Sequence, residues 1–314
     1  MDFIGQKAII ENFRDHIKNN TLGHAYAFTG PEGAGKRTLA RYISKMILCE
    51  NSEGMPCGNC RSCKGFEAGG NPNFTVITSE TQRILINQIR EMIDNINIRP
   101  AFGRKVYLIE EADRMTVEAQ NCLLKTLEEP PKYAVILMTT CHYDSLAATI
   151  RSRVVQTRLK PYTFDELSRI LLVQGLDLKG KEYIYELSSG IPGKAVKLLK
   201  DETLEELRGK VMDFVFDSRE FSALDLNLYL SNNKEVFPEC LDILESVLRD
   251  ALLVCHGIDS GLINSDKKDK ILEYSNRLKP HEIIEKINKI QDIRSALRRN
   301  MNYQLAVDMV TLGA

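Results

Sequence analysis

Apolar and polar positions in the first half of the chain alternate between two kinds of segment. Short apolar runs predict β-strands over residues 24–29, 74–77, 105–109, 134–138 and 154–157. Helical spacing of apolar residues predicts helices over residues 6–19, 85–96 and 116–127, and a further helix that ends at Leu48. The helix over 116–127 stops before Pro130-Pro131. Strands that alternate with helices are typical of a parallel sheet covered by helices. We therefore expect an α/β domain over residues 1–160.

Beyond Pro161 the strand patterns end and helical spacing continues. Thr163 offers an N-cap, and acidic residues follow it within one turn. Helices over residues 163–174, 179–188 and 193–200 predict a small lid-like domain over residues 161–202. Apolar residues at three- and four-residue steps, such as Ile283, Ile287 and Ile290, indicate a separate helical bundle over residues 203–314.

Composition excludes a strong general attraction to nucleic acid. The 314 residues include 42 Lys and Arg against 43 Asp and Glu, which gives a formal net charge of −1. Any contact with DNA must therefore come from a local basic patch. No apolar run approaches the roughly 20 residues of a membrane-spanning helix, and the N-terminus lacks a basic stretch followed by an apolar core. These features favour a cytoplasmic protein without membrane contact.

A glycine-rich loop, residues Gly30 to Lys36, follows the first strand and precedes a helix. This is the context that a P-loop requires, because its backbone N–H groups and the helix N-terminus favour phosphate oxygens. Lys36 would add a positive charge near the terminal phosphates. We expect Gly30, Gly33, Gly35 and Lys36 to line a site for ATP or ADP, against the plain alternative of a turn with an exposed lysine.

Two departures from the P-loop pattern affect the magnesium ligands. Arg37 stands where a Ser or Thr hydroxyl would bind Mg²⁺, and Thr38 comes one residue late, rotated by roughly 100° around the helix. At the end of the apolar run 105–109, Glu110 replaces the metal-positioning Asp, and Glu111 occupies the position that would polarise the attacking water. Nucleotide binding should survive more readily than hydrolysis, and Mg²⁺ binding is doubtful. Solvated charges at a strand end are the alternative.

The cysteines fall into a cluster and a scattered set. Four lie within fifteen positions: Cys49, Cys57, Cys60 and Cys63. Four thiolates at this spacing favour a tetrahedral structural Zn²⁺ site, while an iron–sulfur cluster and free thiols stay open as alternatives. Metal binding would supply folding energy that so short a segment lacks. The other four are predicted to be packed thiols on apolar faces: Cys122, Cys141, Cys240 and Cys255.

A Ser-Arg pair, Ser152-Arg153, ends a helical turn just before the strand predicted at 154–157. An exposed arginine at this place can reach a neighbouring subunit. Within one chain it has no evident partner, so a solvated surface charge is the plain interpretation.

The P-loop, the four cysteines, residues 123–131 (LLKTLEEPP) and residues 150–153 (IRSR) together resemble the bacterial clamp-loader branch of the AAA+ ATPases. Their order and spacing match that branch over nearly the whole chain. The resemblance implies a P-loop AAA+ domain with a parallel sheet and a zinc insertion at 49–63, a small helical lid, and an all-α collar domain for oligomerisation.

The resemblance also implies roles for single residues. Thr140, or Thr139 beside it, matches a polar sensor position, and Lys194 stands where active ATPases carry a second-sensor arginine. Arg153 matches the arginine of a Ser-Arg-Cys motif, which enters the ATP site of the neighbouring motor subunit; Val154 replaces the cysteine. Such an arginine finger is worth roughly 10³ to 10⁵ in rate.

Within this branch, the gamma/tau motor and delta-prime subunits share the zinc module. Motor subunits are expected to keep a Lys-Thr or Lys-Ser pair in the P-loop and an Asp-Glu pair after the strand, whereas this chain has Lys36-Arg37 and Glu110-Glu111. These two departures, and a length without a long C-terminal extension, favour the delta-prime type. The implied function is a stator of DNA polymerase III that works with gamma/tau and delta subunits, the sliding clamp and primed DNA. The alternatives are a motor that hydrolyses ATP at Lys36, and a zinc-bearing DNA-binding module with Arg61 and Lys64 against the duplex.

Overall fold

A computed structural model describes residues 3–51, 53–79, 82–100, 103–200, 202–217, 220–258, 260–299 and 301–312. Contacts divide the chain into two compact units. The first consists of Met1–Ile170 with Ile191–Gly193, and the second of Leu171–Gly190 with Lys194–Ala314. The finer division into three domains at residues 160 and 202 stays a prediction.

The first unit contains a five-stranded sheet. Its strands are β1 (Ala25–Thr29), β2 (Phe74–Ile77), β3 (Lys105–Ile109), β4 (Ala134–Thr140) and β5 (Val155–Arg158), in the order β2-β3-β4-β1-β5. Every pair is parallel, with Thr29 opposite Thr140 and Ile109 opposite Met138. The carboxyl ends of the strands therefore lie at one edge, which is where open α/β sheets bind ligands. The predicted α/β fold with a parallel sheet is confirmed.

Helices cover the two faces of this sheet. They are α1 (Lys7–Lys18), α2 (Lys36–Leu48), α3 (Arg61–Glu67), α4 (Ile86–Ile96), α5 (Val117–Glu128) and α6 (Ala148–Arg151). A further helix, α7 (Phe164–Val173), follows β5 and extends into the second unit. The sequence pattern did not predict α3, a seven-residue helix inside the cysteine segment. Its N-cap is Cys60, whose sulfur accepts the N–H of Cys63.

The three central strands are buried along their whole length. Because side chains alternate across a strand, each strand supplies two separate cores. Tyr107 and Ile109 of β3 pack with residues of α4 and α5 on one face. Val106 and Leu108 pack with residues of α1 and α2 on the other. Burial on both faces explains why these strands read as continuous apolar runs in the sequence.

The described residues of the second unit form helices and no strand. The helices are α8 (Tyr183–Ser188), α9 (Pro192–Lys200), α10 (Glu202–Phe216), α11 (Glu220–Asn232), α12 (Phe237–Cys255), α13 (Lys268–Ser275), α14 (Pro280–Arg298) and α15 (Tyr303–Thr311). The first two residues of α9 belong to the first unit. Helix α12 packs against α10, α13 and α14. The helical character of this half is confirmed, although the helix predicted to start at 179 begins at Tyr183. Among the described residues, no helix has the length and apolar character needed to cross a membrane.

Candidate nucleotide site, cysteine cluster and arginine

The P-loop lies between the end of β1 and the start of α2, so it sits at the carboxyl edge of the sheet. Gly33 and Gly35 adopt left-handed backbone conformations, with φ of 76° and 84°. A Cβ atom added to Gly33 would lie 2.9 Å from the Cα atom of Gly193. The loop therefore depends on glycine at residue 33, both for its backbone conformation and for the close approach of Gly193.

Lys36 is the first residue of α2, and its ammonium group turns back into the loop. Nζ donates to the carbonyl oxygens of Gly30 and Pro31 at 2.8 and 2.7 Å, and it lies 3.1 Å from Sγ of Cys141. Because a lysine ammonium has three donors, these contacts engage all of them. A phosphate at this loop would have to take over at least one of these hydrogen bonds.

Glu110 lies at the end of β3, and its carboxylate is enclosed by two arginines of α2. Its Oε2 atom is 2.9 Å from Nε of Arg37, and its Oε1 atom is 3.3 Å from Nη2 of Arg41. Nε of Arg41 donates to the same Oε1 at 3.3 Å. The Glu110 side chain is only 4% exposed, so the idea of a solvated charge is wrong for this residue. The two guanidinium groups compensate a buried charge that would otherwise be costly.

Glu111 differs from Glu110 in its exposure and its partner. Its side chain is 41% exposed and pairs with Arg114 across 2.9 Å, so the solvated-charge alternative fits this residue. Its backbone is left-handed, with φ of 54°, and its N–H donates to Oγ1 of Thr139 at 3.0 Å. The buried Thr140 hydroxyl accepts the N–H of His142 at 3.0 Å. Both threonines thus stand at the same sheet edge as the P-loop, at the end of β4.

Thr38 and Lys194 were also predicted to contact the nucleotide. Thr38 is exposed on α2. Lys194 belongs to the second unit, where its Nζ atom lies 3.8 Å from Oδ2 of Asp242. The nucleotide-binding roles of both residues stay predictions.

The cysteine cluster brings four sulfur atoms together. The Sγ atoms of Cys49, Cys57, Cys60 and Cys63 all lie within 4.8 Å of one another. A tetrahedral site with metal–sulfur distances of about 2.3 Å needs sulfur separations of about 3.8 Å, so a small contraction would suffice. Three backbone N–H groups point at these sulfurs, at 3.3 to 3.4 Å. The donor set and its spacing fit one metal ion.

The thiols of this cluster differ in acidity. Hydrogen bonds from the backbone N–H groups of Cys60 and Asn59 lower the pKa of Cys57 to about 6. Burial raises the pKa of Cys63 to about 12, and burial also raises the pKa of Cys49. A bound cation would favour all of the thiolates, because metal ligation requires the deprotonated form.

The scattered cysteines only partly match expectation. Cys240 is buried, as predicted for a packed thiol, and Cys122 and Cys255 are half-buried. The prediction is wrong for Cys141, which is exposed. This residue follows β4 directly, at the point where the chain leaves the sheet, so the core around the strand does not cover it.

Arg153 has a partner within its own chain, contrary to the expectation from the sequence. Its Nη2 atom lies 2.9 Å from Oε1 of Glu128, the last residue of α5. Its Nη1 atom donates to the carbonyl of Thr149 at 2.9 Å and to Oγ of Ser152 at 3.2 Å. No sequence pattern links positions 128 and 153. The proximity of α5 and α6 brings them together.

Comparison with known proteins places the chain in a family. The sequence matches the family described as DNA polymerase III, delta subunit, over residues 5–163, just over half of the chain. It also matches the family described as DNA polymerase III, delta subunit, C terminal, over residues 206–311. DNA polymerase III subunit delta' of Bacillus subtilis is 26% identical over 98% of this chain and 95% of that protein.

Other similar proteins cover the chain less evenly. DNA polymerase III subunit tau/gamma of Haemophilus influenzae is 38% identical over 54% of this chain, but the match spans only 25% of that protein. A gamma subunit-related protein of Thermotoga maritima with a solved structure is 20% identical, covers 96% of this chain and 97% of its own, and has a TM-score of 0.38. The partial tau/gamma match and the full-length delta' match agree with the resemblance drawn from the motifs. Since the two family matches together span both units, the chain belongs to the DNA polymerase III delta-subunit family.

Proposed function

We propose that the chain is a delta-prime-type stator of the DNA polymerase III clamp loader. As part of that DNA-directed DNA polymerase in the cytoplasm, it would assemble with gamma/tau and delta subunits and help to place the sliding clamp on primed DNA. It would contribute Arg153 to the ATP site of a neighbouring motor subunit. The observation that carries this proposal is the buried cluster of Glu110 with Arg37 and Arg41.

This cluster opposes metal-dependent hydrolysis in the chain's own loop. Mg²⁺ is held by carboxylate and hydroxyl oxygens together with nucleotide phosphates. Here Arg37 removes the hydroxyl, and its guanidinium binds the carboxylate that would face the metal. A divalent cation would meet two positive groups at the place where it needs two ligands. ATP or ADP could still bind through the P-loop, but turnover by this chain would be weak or absent.

The cysteine cluster supports a structural zinc ion in the same proposal. The four residues Cys49, Cys57, Cys60 and Cys63 would hold it in a closed shell without a position for substrate. Soft thiolate ligands favour Zn²⁺ over the oxygen-seeking Mg²⁺ and Ca²⁺. The ion would stabilise the connection between α2 and α3, which has little apolar core of its own.

The test is the DNA- and clamp-stimulated ATPase of a complex reconstituted with gamma/tau and delta subunits. Arg153→Ala should reduce turnover at the one motor site that it serves by roughly 10³-fold or more, because the guanidinium stabilises charge in the transition state. The total ATPase rate of the complex should fall by the amount that this one site contributes. Arg151→Ala is the matched control, since Arg151 is a neighbouring arginine paired with Asp144.

Two results would contradict the proposal. Undiminished turnover with Arg153→Ala would remove the role in trans. Brisk Mg²⁺-dependent ATP hydrolysis by the lone chain, lost in Lys36→Ala, would favour the motor alternative.

A further inference from the structure

The guanidinium of Arg153 is folded back onto its own subunit. Its side chain is 34% exposed, and three acceptors of the same unit contact it: Glu128, Thr149 and Ser152. An arginine that acts on a neighbouring subunit has to leave at least part of this arrangement.

The contact with Glu128 occupies the part of the guanidinium that a phosphate would need. Arginine binds carboxylates and phosphates through pairs of parallel N–H groups on the edge of its planar head. Nη1 is engaged by Thr149 and Ser152, and Nη2 by the Glu128 carboxylate. The carboxylate and a terminal phosphate are both anionic oxygen acceptors, so a phosphate in the neighbouring subunit competes with Glu128 for the guanidinium.

We propose that Glu128 is a positioning residue that retains Arg153 on its own subunit until the terminal phosphates of a nucleotide in the adjoining subunit displace it. The inference rests on the function proposed above, because it presupposes that Arg153 acts in trans. Glu128 then sets how readily the arginine responds to ATP in the neighbouring site. It does not take part in the chemical step.

Removing Glu128 should have a small effect on the KM for ATP, and that effect has a definite direction. Glu128 is half-exposed, and ion pairs of that kind correspond to about a 1.5- to 5-fold change in an equilibrium. Arg153 has to be released as soon as the ATP-bound ground state forms. Removing Glu128 therefore favours the ground state and the transition state equally, which lowers KM and leaves kcat unchanged.

The experiment compares Glu128→Gln and Glu129→Gln in the complex reconstituted with gamma/tau and delta subunits, with ATPase measured against ATP concentration. Glu129 is the neighbouring acid at the C-cap of α5, and no ion pair of Glu129 is found among the described residues. It controls for the loss of one negative charge near the triphosphate. Glu128→Gln should lower the KM for ATP at the site that Arg153 serves by about 1.5- to 5-fold with kcat unchanged, whereas Glu129→Gln should leave both constants unchanged.

Further variants separate the possible outcomes. In an Arg153→Ala background, Glu128→Gln should have no effect, since there is no arginine left to retain. Screening should shrink the effect of Glu128→Gln at high salt. If Arg153→Ala lowers turnover by the contribution of its site but Glu128→Gln leaves KM unchanged or raises it, the positioning role is refuted and the stator function stands. If Arg153→Ala has no effect, the proposed function itself fails.

Discussion

The cluster of Glu110 with Arg37 and Arg41 predicts an asymmetry in stability. Replacing both arginines would leave a 96% covered carboxylate without a cation, since only 4% of its side chain is exposed. Replacing the acid would instead leave two arginines whose side chains are 57% and 47% exposed, so water can solvate them. We expect Arg37→Ala with Arg41→Ala to be far more destabilising than Glu110→Gln.

The size of the stability loss in each variant follows from the distances between Glu110 and the two arginines and from the exposure of their side chains. At 2.9 and 3.3 Å, with an effective dielectric constant of about 20, each attraction is about 5 to 6 kcal/mol before desolvation. Burial of Glu110 and the solvent screening of half-exposed arginines offset most of this. We expect about 1 kcal/mol for each single arginine variant, about 3 kcal/mol for the double variant, and less than about 1 kcal/mol for Glu110→Gln.

Thermal unfolding of the full chain measures these differences. For a unit of this size, 1 kcal/mol corresponds to about 2–4 °C in Tm, so the double variant should unfold about 6–12 °C earlier. Arg114→Ala is the matched control, because its ion pair with Glu111 has the same 2.9 Å distance but an acid that is 41% exposed. That variant should cost less than about 1 kcal/mol.

A triple variant tests the cause. Adding Glu110→Gln to the double arginine variant should recover much of the lost stability, because the uncompensated charge is removed. Equal losses for Glu110→Gln and the double variant, or no recovery in the triple variant, would refute the reasoning about the buried charge.

The remaining predictions concern the metal and the loop. The purified chain should contain one equivalent of zinc by elemental analysis, and Cys63→Ser should lower that content. Removing the zinc with a chelator should lower the Tm of the chain. An unchanged Tm after complete metal removal would argue against a structural ion. Zinc affinity should fall as the pH is lowered, because the four thiolates become protonated. Gly33→Ala should destabilise the chain by about 1–3 kcal/mol in thermal unfolding, because φ is 76° and Gly193 is close, while Gly70→Ala, with no heavy atom near the added Cβ, is the control.

Local patterns in the sequence were sufficient for the fold class and for much of the candidate site. The central strands were predictable because burial on both faces requires uninterrupted apolar runs. The P-loop was predictable because its glycines, Lys36 and the flanking strand and helix are contiguous. The cysteine cluster lies within fifteen positions, so its spacing alone indicates a metal site. Helix α3 was missed because its seven residues show no apolar repeat.

Only the tertiary structure decided which charges meet. Arg41 and Glu110 are 69 positions apart, and Glu128 and Arg153 are 25 apart; each contact depends on how helices and strands pack around the sheet. The exposure of Cys141 likewise depends on where β4 leaves the sheet. Local sequence encodes periodicity and turns because those are set by neighbouring residues. Ion pairs and burial depend on strand order and helix packing, which bring distant segments together.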